Sequence, residues 1–399
     1  MYSQQQLTLS RFFLVFVAGL AALGPFSVDA YLPTLPDLAQ DFGVNMSTAN
    51  LTISAFMLGM ALGQFVGGPL SDQLGRKKIG LAGLAIHIIA TLLITVAANI
   101  DQMLLLRIIQ AVGGGFASVI CLAQVRDVFE PAEVSGKFAN IIIVILIAPL
   151  IAPSLGTLIS AFGWRAIFLF LAAYGVLMVV LYCLLIPETN NDTPEKFSVP
   201  ELFKGYWAAI SKRTNGRLIG LRLAMFSGFS AGVLFSYVTN AAFILIDFFK
   251  LSKIQFSLAF GTMILTFMIG NRITVYLLKN HTAPTIVDRI NLIQLFACLA
   301  MIALCYFTEP SLWQVLLGIS LILGCHGASS PAASGYFISL YDKNVGSASS
   351  LNSTLVFAFG GVIGGISALA SHGQLMPIFT VMLVSSVLAR ACLKSAKIS

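Results

Sequence analysis

Apolar runs separated by short polar gaps recur along the whole chain. Phe12 to Val28 carries no charge, and the run then meets Asp29, a tyrosine and two prolines. A helix needs about 20 residues to cross a bilayer. On that measure the pattern predicts twelve spans, at 11–33, 48–70, 79–98, 102–123, 138–160, 164–186, 218–245, 254–278, 287–307, 312–336, 345–370 and 374–393. The first run is longer than the core of a cleaved signal peptide and so reads as a span. The longest polar gap, 187–217, follows the sixth span and divides the chain into 1–186, a linker, and 218–399. Within it, ELFKGYWAAI predicts an amphipathic surface helix with Tyr206 and Trp207 at the membrane interface.

Charge orients the spans. An even number of crossings puts both termini on one side. That side then holds Arg76, Lys77, Lys78, Arg126, Lys137, Lys212, Arg213 and Lys279, while the other holds only Arg165, Lys250 and Lys253 as basic residues. Cytoplasmic loops carry the excess of Lys and Arg, so both termini are expected in the cytoplasm, with the protein multi-pass in an inner (plasma) membrane.

Composition agrees. Of 399 residues, 58% are hydrophobic and 10% charged, against about 25% charged in a soluble domain. Mean hydropathy is +0.91. The net charge of +7 falls in gaps between spans, so it forms no soluble basic face for nucleic acid. The six cysteines lie scattered in apolar segments without CxxC spacing. They read as packing residues, with neither a disulfide framework nor a metal site.

An ionisable residue inside a span costs roughly 2.5–3.5 kcal/mol on insertion scales and marks function by default. Asp29 and Arg107 stand out. Asp29 lies a few Å inside the outer end of span one, which Pro33 and Pro36 are expected to end, and Arg107 lies about 8 Å into span four from the same surface at 1.5 Å per residue. Similar depth in one half lets them meet. Phe26, Tyr31 and Phe56 neighbour Asp29, and Gln64 and Asn240 are polar residues within spans, so these five are candidate cavity residues. His87 and His326 read as helix-interface histidines. Gly59, Gly63 and Gly67 in span two, and the Gly360/Gly364 and Gly361/Gly365 pairs in span eleven, predict close helix packing. They also suggest a smooth contact between the halves.

Several motifs resemble one family. GGPLSDQLGRKK (Gly67–Lys78) resembles the signature loop of the major facilitator superfamily, and LLLRIIQAVGGGFASV (Leu104–Val119) resembles its span-four motif. PFSVDAYLPTLPDLA (Pro25–Ala39) is similar to the first span of drug:proton antiporters. LIAPLIAPSLGTLI (Leu146–Ile159) and FGWRAIFLF (Phe162–Phe170) are similar to the Bcr/CflA drug-resistance branch. The resemblance implies an all-α membrane protein with two pseudo-symmetric six-helix bundles. It implies that Arg107 is the coupling arginine and Asp29 its acidic partner. Gly68, Asp72, Gly75, Arg76 and Asp127 would form an inner gate. Pro149, Pro153 and Gly156 would occupy the span-five antiporter motif, where Ala152 replaces the usual glycine before the proline. The second half carries no copy of the signature loop.

The expected function is proton-coupled export of small amphiphilic drugs by alternating access. The alternative is transport of one metabolite, such as a siderophore, sugar or amino-acid derivative. No GxxxxGK[ST] or HExxH is present, the one GxSxG match (Gly228–Gly232) lies inside the apolar span 218–245, and there are four scattered histidines, so neither an ATP-driven pump nor an enzyme is expected. The proton is the coupling ion and no cofactor is implied. Expected partners are a small-molecule substrate, protons and lipid, with the chain a monomer.

Overall fold

The computed structural model describes residues 4–190, 198–213, 218–341 and 345–395. Segments 191–197 and 214–217 of the expected linker lie outside them. The elements in the first part are α1 (Gln4–Asp29), α2 (Leu35–Asp41), α3 (Met46–Leu74), α4 (Arg76–Ile94), α5 (Ile100–Val128), α6 (Pro131–Ile159) and α7 (Trp164–Leu185). Then follow α8 (Val199–Ile210), α9 (Ile219–Ala242), α10 (Lys253–Leu277), α11 (Ala283–Phe307), α12 (Leu312–Ser339), α13 (Val345–Ser371) and α14 (Met376–Ser395). Among the described residues there are twelve helices long and apolar enough to cross a membrane. Lipid offers the backbone no hydrogen bonds, so each crossing segment must close its own, which a helix does. Helix α2 prolongs α1 after a break, and α8 stands apart. Gln4 and Ser395 therefore end on one face, the terminal face; the opposite one is the far face.

Four helix starts on the far face, those of α3, α5, α10 and α12, carry their own caps. Asn45 accepts from the Thr48 N–H at 2.8 Å to start α3, and Asn99 accepts from Gln102 at 2.9 Å to start α5. Capping boxes at Ser252 and Ser311 start α10 and α12. Each occupies N–H groups the first turn cannot pair internally. The two prolines after Asp29 act differently from the expectation that they end span one. The helix already stops at Asp29; Pro33 opens a short 3-10 turn, Leu32–Thr34, and Pro36 opens α2. Proline suits a first turn because that N–H is unpaired in any case.

Helices α1 and α3–α7 pack into one bundle, and α9–α14 into a second. The bundles meet where α3 lies on α13 and α6 on α10. The expected glycine seam between spans two and eleven is only half present. Gly59, Gly63 and Gly67 face α5 within the first bundle, where a Cβ would strike Ile108, Val112 and Phe116. Gly360 and Gly364 likewise receive Phe235 and Thr239 of α9. Gly361 and Gly365 alone face the other bundle, against Ser54 and Leu58 of α3. The sharpest approach is elsewhere: a Cβ on Gly156 of α6 would overlap the Ala30 carbonyl oxygen. That glycine presses α6 onto the chain break just past Asp29.

The apolar cores are asymmetric. At the far face a single cluster joins both bundles, with Tyr31, Leu32, Leu35 and Leu38 packed in one body with Tyr237, Val238, Ile244 and Leu245. Toward the terminal face each bundle has its own core, one around Phe16, Leu84 and Tyr182, the other around Phe226, Phe337 and Leu393. The bundles share one apolar core at the far face, whereas toward the terminal face they meet through small and polar residues, Gly68 of α3 against Ser350 of α13, around a small polar opening. Helix α8 bridges the bundles there. Its Tyr206 stacks on Phe65 of α3 at 5.0 Å and donates to the Phe65 carbonyl at 3.0 Å, while Tyr341, after α12, donates to the Ala209 carbonyl at 2.8 Å. Tyr206, 3% exposed, is thus an interior residue rather than a membrane-interface one, and Trp207, 72% exposed, takes the outer position alone. Burial, with Asp72 nearby, raises the Tyr206 phenol above its ordinary pKa, so it stays a neutral donor to that carbonyl.

Replacing Gly156 by Val forces a methyl-bearing side chain into the Ala30 backbone. Overpacking costs about 1–3 kcal/mol, and the expected result is loss of the monodisperse peak in size-exclusion chromatography. Gly136→Ala is the control, because nothing lies within 4 Å of a Cβ there; it should leave the peak unchanged.

Candidate substrate cavity and ion-coupling site

A cavity of about 380 Å³ lies between the bundles. Its walls are mostly apolar: Met57, Met60 and Phe56 from α3, Ile145 and Pro149 from α6, Leu234 and Val238 from α9, Phe260 and Ile264 from α10, and Phe357 from α13. Asp29 is its one carboxylate. The residue is buried, at 6% exposure, and among the described residues no ion pair or hydrogen bond engages its carboxylate. Asp29 closes α1, so the break at Ala30–Tyr31 aims it into the space between bundles.

Arg107 is fully buried in the first bundle. Its Cζ stands 4.3 Å from the Phe56 ring centroid, 4.5 Å from Tyr31 and 5.7 Å from Phe168. Nη1 donates to Gln110 Oε1 at 2.7 Å, and Nε reaches the Thr52 carbonyl at 3.4 Å. Nη2 has no partner. Cation–π contacts are worth about 2 kcal/mol or more when desolvated, so three ring faces compensate much of the lost water. The network continues outward: Tyr31 pairs with Thr52 at 2.9 Å, Gln110 donates to Thr91 at 2.7 Å, and His87 Nδ1 lies 3.1 Å from the Gln110 carbonyl. His87 is thereby built into the α4–α5 interface. His326 similarly meets Ser230 at 3.0 Å between α12 and α9.

The expected Asp29–Arg107 contact is absent. Phe56 connects them instead, since it lines the cavity beside Asp29 and covers the guanidinium. Of the five expected cavity residues, Phe56 and Gln64 are on its wall. The other three are corrected. Phe26 turns to Tyr174 of α7, edge to face at 6.0 Å. Tyr31 is spent on Arg107 and Thr52. Asn240 is buried in the far-face seam, donating to Ser367 at 3.0 Å and receiving Asn50 of the other bundle at 3.5 Å. In the span-five stretch Pro149 lines the cavity, Pro153 lies within α6, and Gly156 contacts the α1 break.

The charge cluster assembles at the terminal face. Arg76 pairs with Asp72 and, through Nε, with Asp127 at 3.1 Å. This ties α3, α4 and α5 together inside one bundle. Glu188, which the sequence reading passed over, completes it. Its carboxylate accepts from the Arg76 N–H at 2.8 Å and the Lys77 N–H at 3.0 Å, capping α4 from beyond α7. Gly75 makes this possible twice over: its φ is +100°, and a Cβ would strike Glu188. A sequence signal existed, since α4 starts with no local Ser, Thr, Asp or Asn to cap it. A smaller polar vestibule of about 150 Å³ opens beside the cluster, lined by Gly68, Ser71, Asp72, Arg76, Arg126, Asp127 and Ser350.

At the far face the bundles are pinned by polar contacts. Lys253 pairs with Asp37, Ser47 lies 3.2 Å from Ser371, and Thr157 lies 3.0 Å from Ser257. Among the described residues Lys253–Asp37 is the one ion pair that crosses between bundles.

Two outcomes are expected. Glu188→Ala leaves the α4 N-terminus uncapped and should cost about 1–2 kcal/mol, read as a lower melting temperature of the purified protein. Lys253→Met should loosen the far face. A partly exposed pair is worth up to about 1 kcal/mol, so impermeant maleimide should label Ser371→Cys roughly two- to fivefold faster in a cysteine-free background.

The sequence profile of the Major Facilitator Superfamily matches residues 12–365. The chain is 28% identical over 388 residues to a bicyclomycin resistance protein homolog of Haemophilus influenzae, covering 95% of this chain and 96% of that one. It is 26% identical over 322 residues to the multidrug resistance protein MdtL of Klebsiella pneumoniae, covering 80% and 78%. In fold it is similar to nucleoside transporter NupG, with a TM-score of 0.72 at 16% identity over 97% of this chain and 98% of that one. It is similar also to the human organic anion transporter MFSD10, with a TM-score of 0.66 at 17% identity over 99% and 100%. Twelve crossing helices in two bundles, the Arg76-centred loop and the profile match agree: the chain belongs to the Major Facilitator Superfamily and is a transporter.

Proposed function

We propose that the protein is a proton-coupled exporter of small amphiphilic drugs, working by alternating access with its terminal face in the cytoplasm. The observation that carries this is the cavity itself: an apolar chamber between two bundles with one unpartnered carboxylate, Asp29. Apolar walls accept many molecules of similar size with little geometric demand, because apolar burial is non-directional. A lone carboxylate in such a chamber has two possible companions, a proton or a substrate's positive charge, and they compete.

This arrangement of the bundles fits protonated Asp29. A neutral carboxyl needs no counter-ion, and Arg107 is held by rings and Gln110. Loss of the proton leaves an anion that must take a cation or shift toward the unpartnered Nη2 of Arg107. Either event favours a different packing of α1 on α3 and α5. Coupling then follows from linkage: proton and substrate prefer different states, so each drives the other's release. The resistance-associated names of the H. influenzae and K. pneumoniae relatives support drugs as the substrate class. The excess of basic residues in the terminal-face loops supports the orientation.

The test is substrate-triggered proton movement in everted vesicles, with a panel of drugs and metabolites. Wild type should dissipate an imposed pH gradient with several unrelated drugs, and Asp29→Asn should abolish the effect. Movement of one metabolite and no drug would overturn the substrate class. An Asp29→Asn protein that behaves as wild type would overturn the coupling site.

A further inference from the structure

Four glutamines are buried within the spans: Gln64, Gln110, Gln124 and Gln294. Three are engaged. Gln110 bonds Arg107 and Thr91, Gln124 donates to Tyr182 at 2.7 Å, and Gln294 bonds the Ile322 carbonyl and Ser386. Gln64 differs in making no hydrogen bond at all. It is 4% exposed, its Oε1, like that of Gln124, is shut off without a partner, and among the described residues nothing bonds its amide. An unpaired buried polar group costs about 1–3 kcal/mol. An amide with that cost and no structural bond is left for something that comes and goes.

Its position says what. The apolar cavity and the polar vestibule share three residues in their walls: Gln64 of α3, Ser118 of α5 and Ser353 of α13. The first two belong to one bundle and the third to the other. On one side of this level lie Met57, Met60 and Phe357; on the other lie Ser71, Asp72, Arg76 and Arg126. A substrate leaving the vestibule for the cavity passes between the three. All are neutral, and each both donates and accepts hydrogen bonds.

Resting on the drug-transport reading above, we infer that Gln64, Ser118 and Ser353 form a neutral hydrogen-bonding collar that recognises an amide, carbonyl or hydroxyl group on the substrate. The collar is a specificity element separate from Asp29. A cation is read by the carboxylate in the apolar chamber, a neutral polar head by the collar below it. Because Ser353 comes from the opposite bundle, the collar is complete only when the bundles stand as they do here. A head group bridging Gln64 and Ser353 therefore holds the bundles in this arrangement.

The test compares two probes on the purified full chain by equilibrium binding. Chloramphenicol is neutral and carries an amide and hydroxyls. Tetraphenylphosphonium is a cation with no hydrogen-bonding group. Gln64→Leu should weaken chloramphenicol roughly three- to tenfold, the worth of one hydrogen bond, and leave tetraphenylphosphonium unchanged. Its melting temperature should equal or exceed that of wild type, because an unpaired buried amide is removed. Ser353→Ala, on the other bundle, should repeat the selective loss and covers the case in which Gln64→Leu does not fold. Equal weakening of both probes with a lower melting temperature would make Gln64 a packing residue and overturn the collar. Unchanged chloramphenicol binding in both variants would overturn it too. Wild type binding neither probe would instead sink the drug-transport reading, and the collar with it.

Discussion

A guanidinium with no exposure, set inside a bundle that faces lipid, is the constraint from which the first half of this protein follows. Arginine keeps its charge under ordinary conditions, so Arg107 must be solvated by protein. It takes the ring of Tyr31 from the break after α1, Phe56 from α3 and Phe168 from α7. Thr52 of α3 and Gln110 of its own helix supply oxygen, and Gln110 draws in Thr91 and His87 of α4. Helix α6 enters indirectly, since Gly156 fixes Ala30 beside Tyr31. Every helix of the bundle therefore helps house one charge. The close α3–α5 packing through Gly59, Gly63 and Gly67 serves the same end by bringing Phe56 and Thr52 within reach.

That arrangement explains which features could be read from the chain. Spans were legible because lipid forces apolar length, and the helices begin and end within about five residues of the expected runs, except that α1 and α6 start earlier, at Gln4 and Pro131. Depth was legible too, which brought Asp29 and Arg107 to one level. Azimuth was not. Each residue turns a helix by about 100°, and only packing decides which face turns inward. Phe26, three residues before Asp29, thus faces Tyr174, and Tyr31 follows the break and leaves the helical face altogether. The glycine rows were visible as close-packing surfaces, but their partner was not: a GxxxG row names no helix. Glu188 was missed because its work is remote, capping a helix that begins 112 residues earlier.

The two ends of the molecule are held by different physics. The Arg76 cluster is internal to the first bundle: Asp72, Asp127 and Glu188 belong to the same half. It stiffens the ends of α3, α4, α5 and α7 so that they move as one piece. Nothing in it needs to break when that bundle tilts as a body. The far-face closure, by contrast, crosses between bundles, through Lys253–Asp37, Ser47–Ser371 and Asn50–Asn240. These contacts must part for that face to open, and they are of the weak or half-exposed kind.

The seam behind them is poised for this. Its apolar part joins the bundles in one core, which favours closure at roughly 25 cal/mol per Å² of apolar surface kept from water. Yet the same seam buries Asn50 Oδ1, Ser54 Oγ, Tyr237 OH and Thr239 Oγ1 without hydrogen-bond partners among the described residues. At about 1–3 kcal/mol each, these orphans oppose closure by several kcal/mol, a penalty that water relieves when the face opens. Gly361 and Gly365 on α13 let Ser54 approach closely enough to be shut in. A wholly apolar seam would hold the closed state too firmly to cycle. A fully satisfied polar one would lock it by hydrogen bonds. Apolar cohesion set against unpaired hydroxyls leaves a small difference between the two states, small enough for one molecule bound in the cavity to tip.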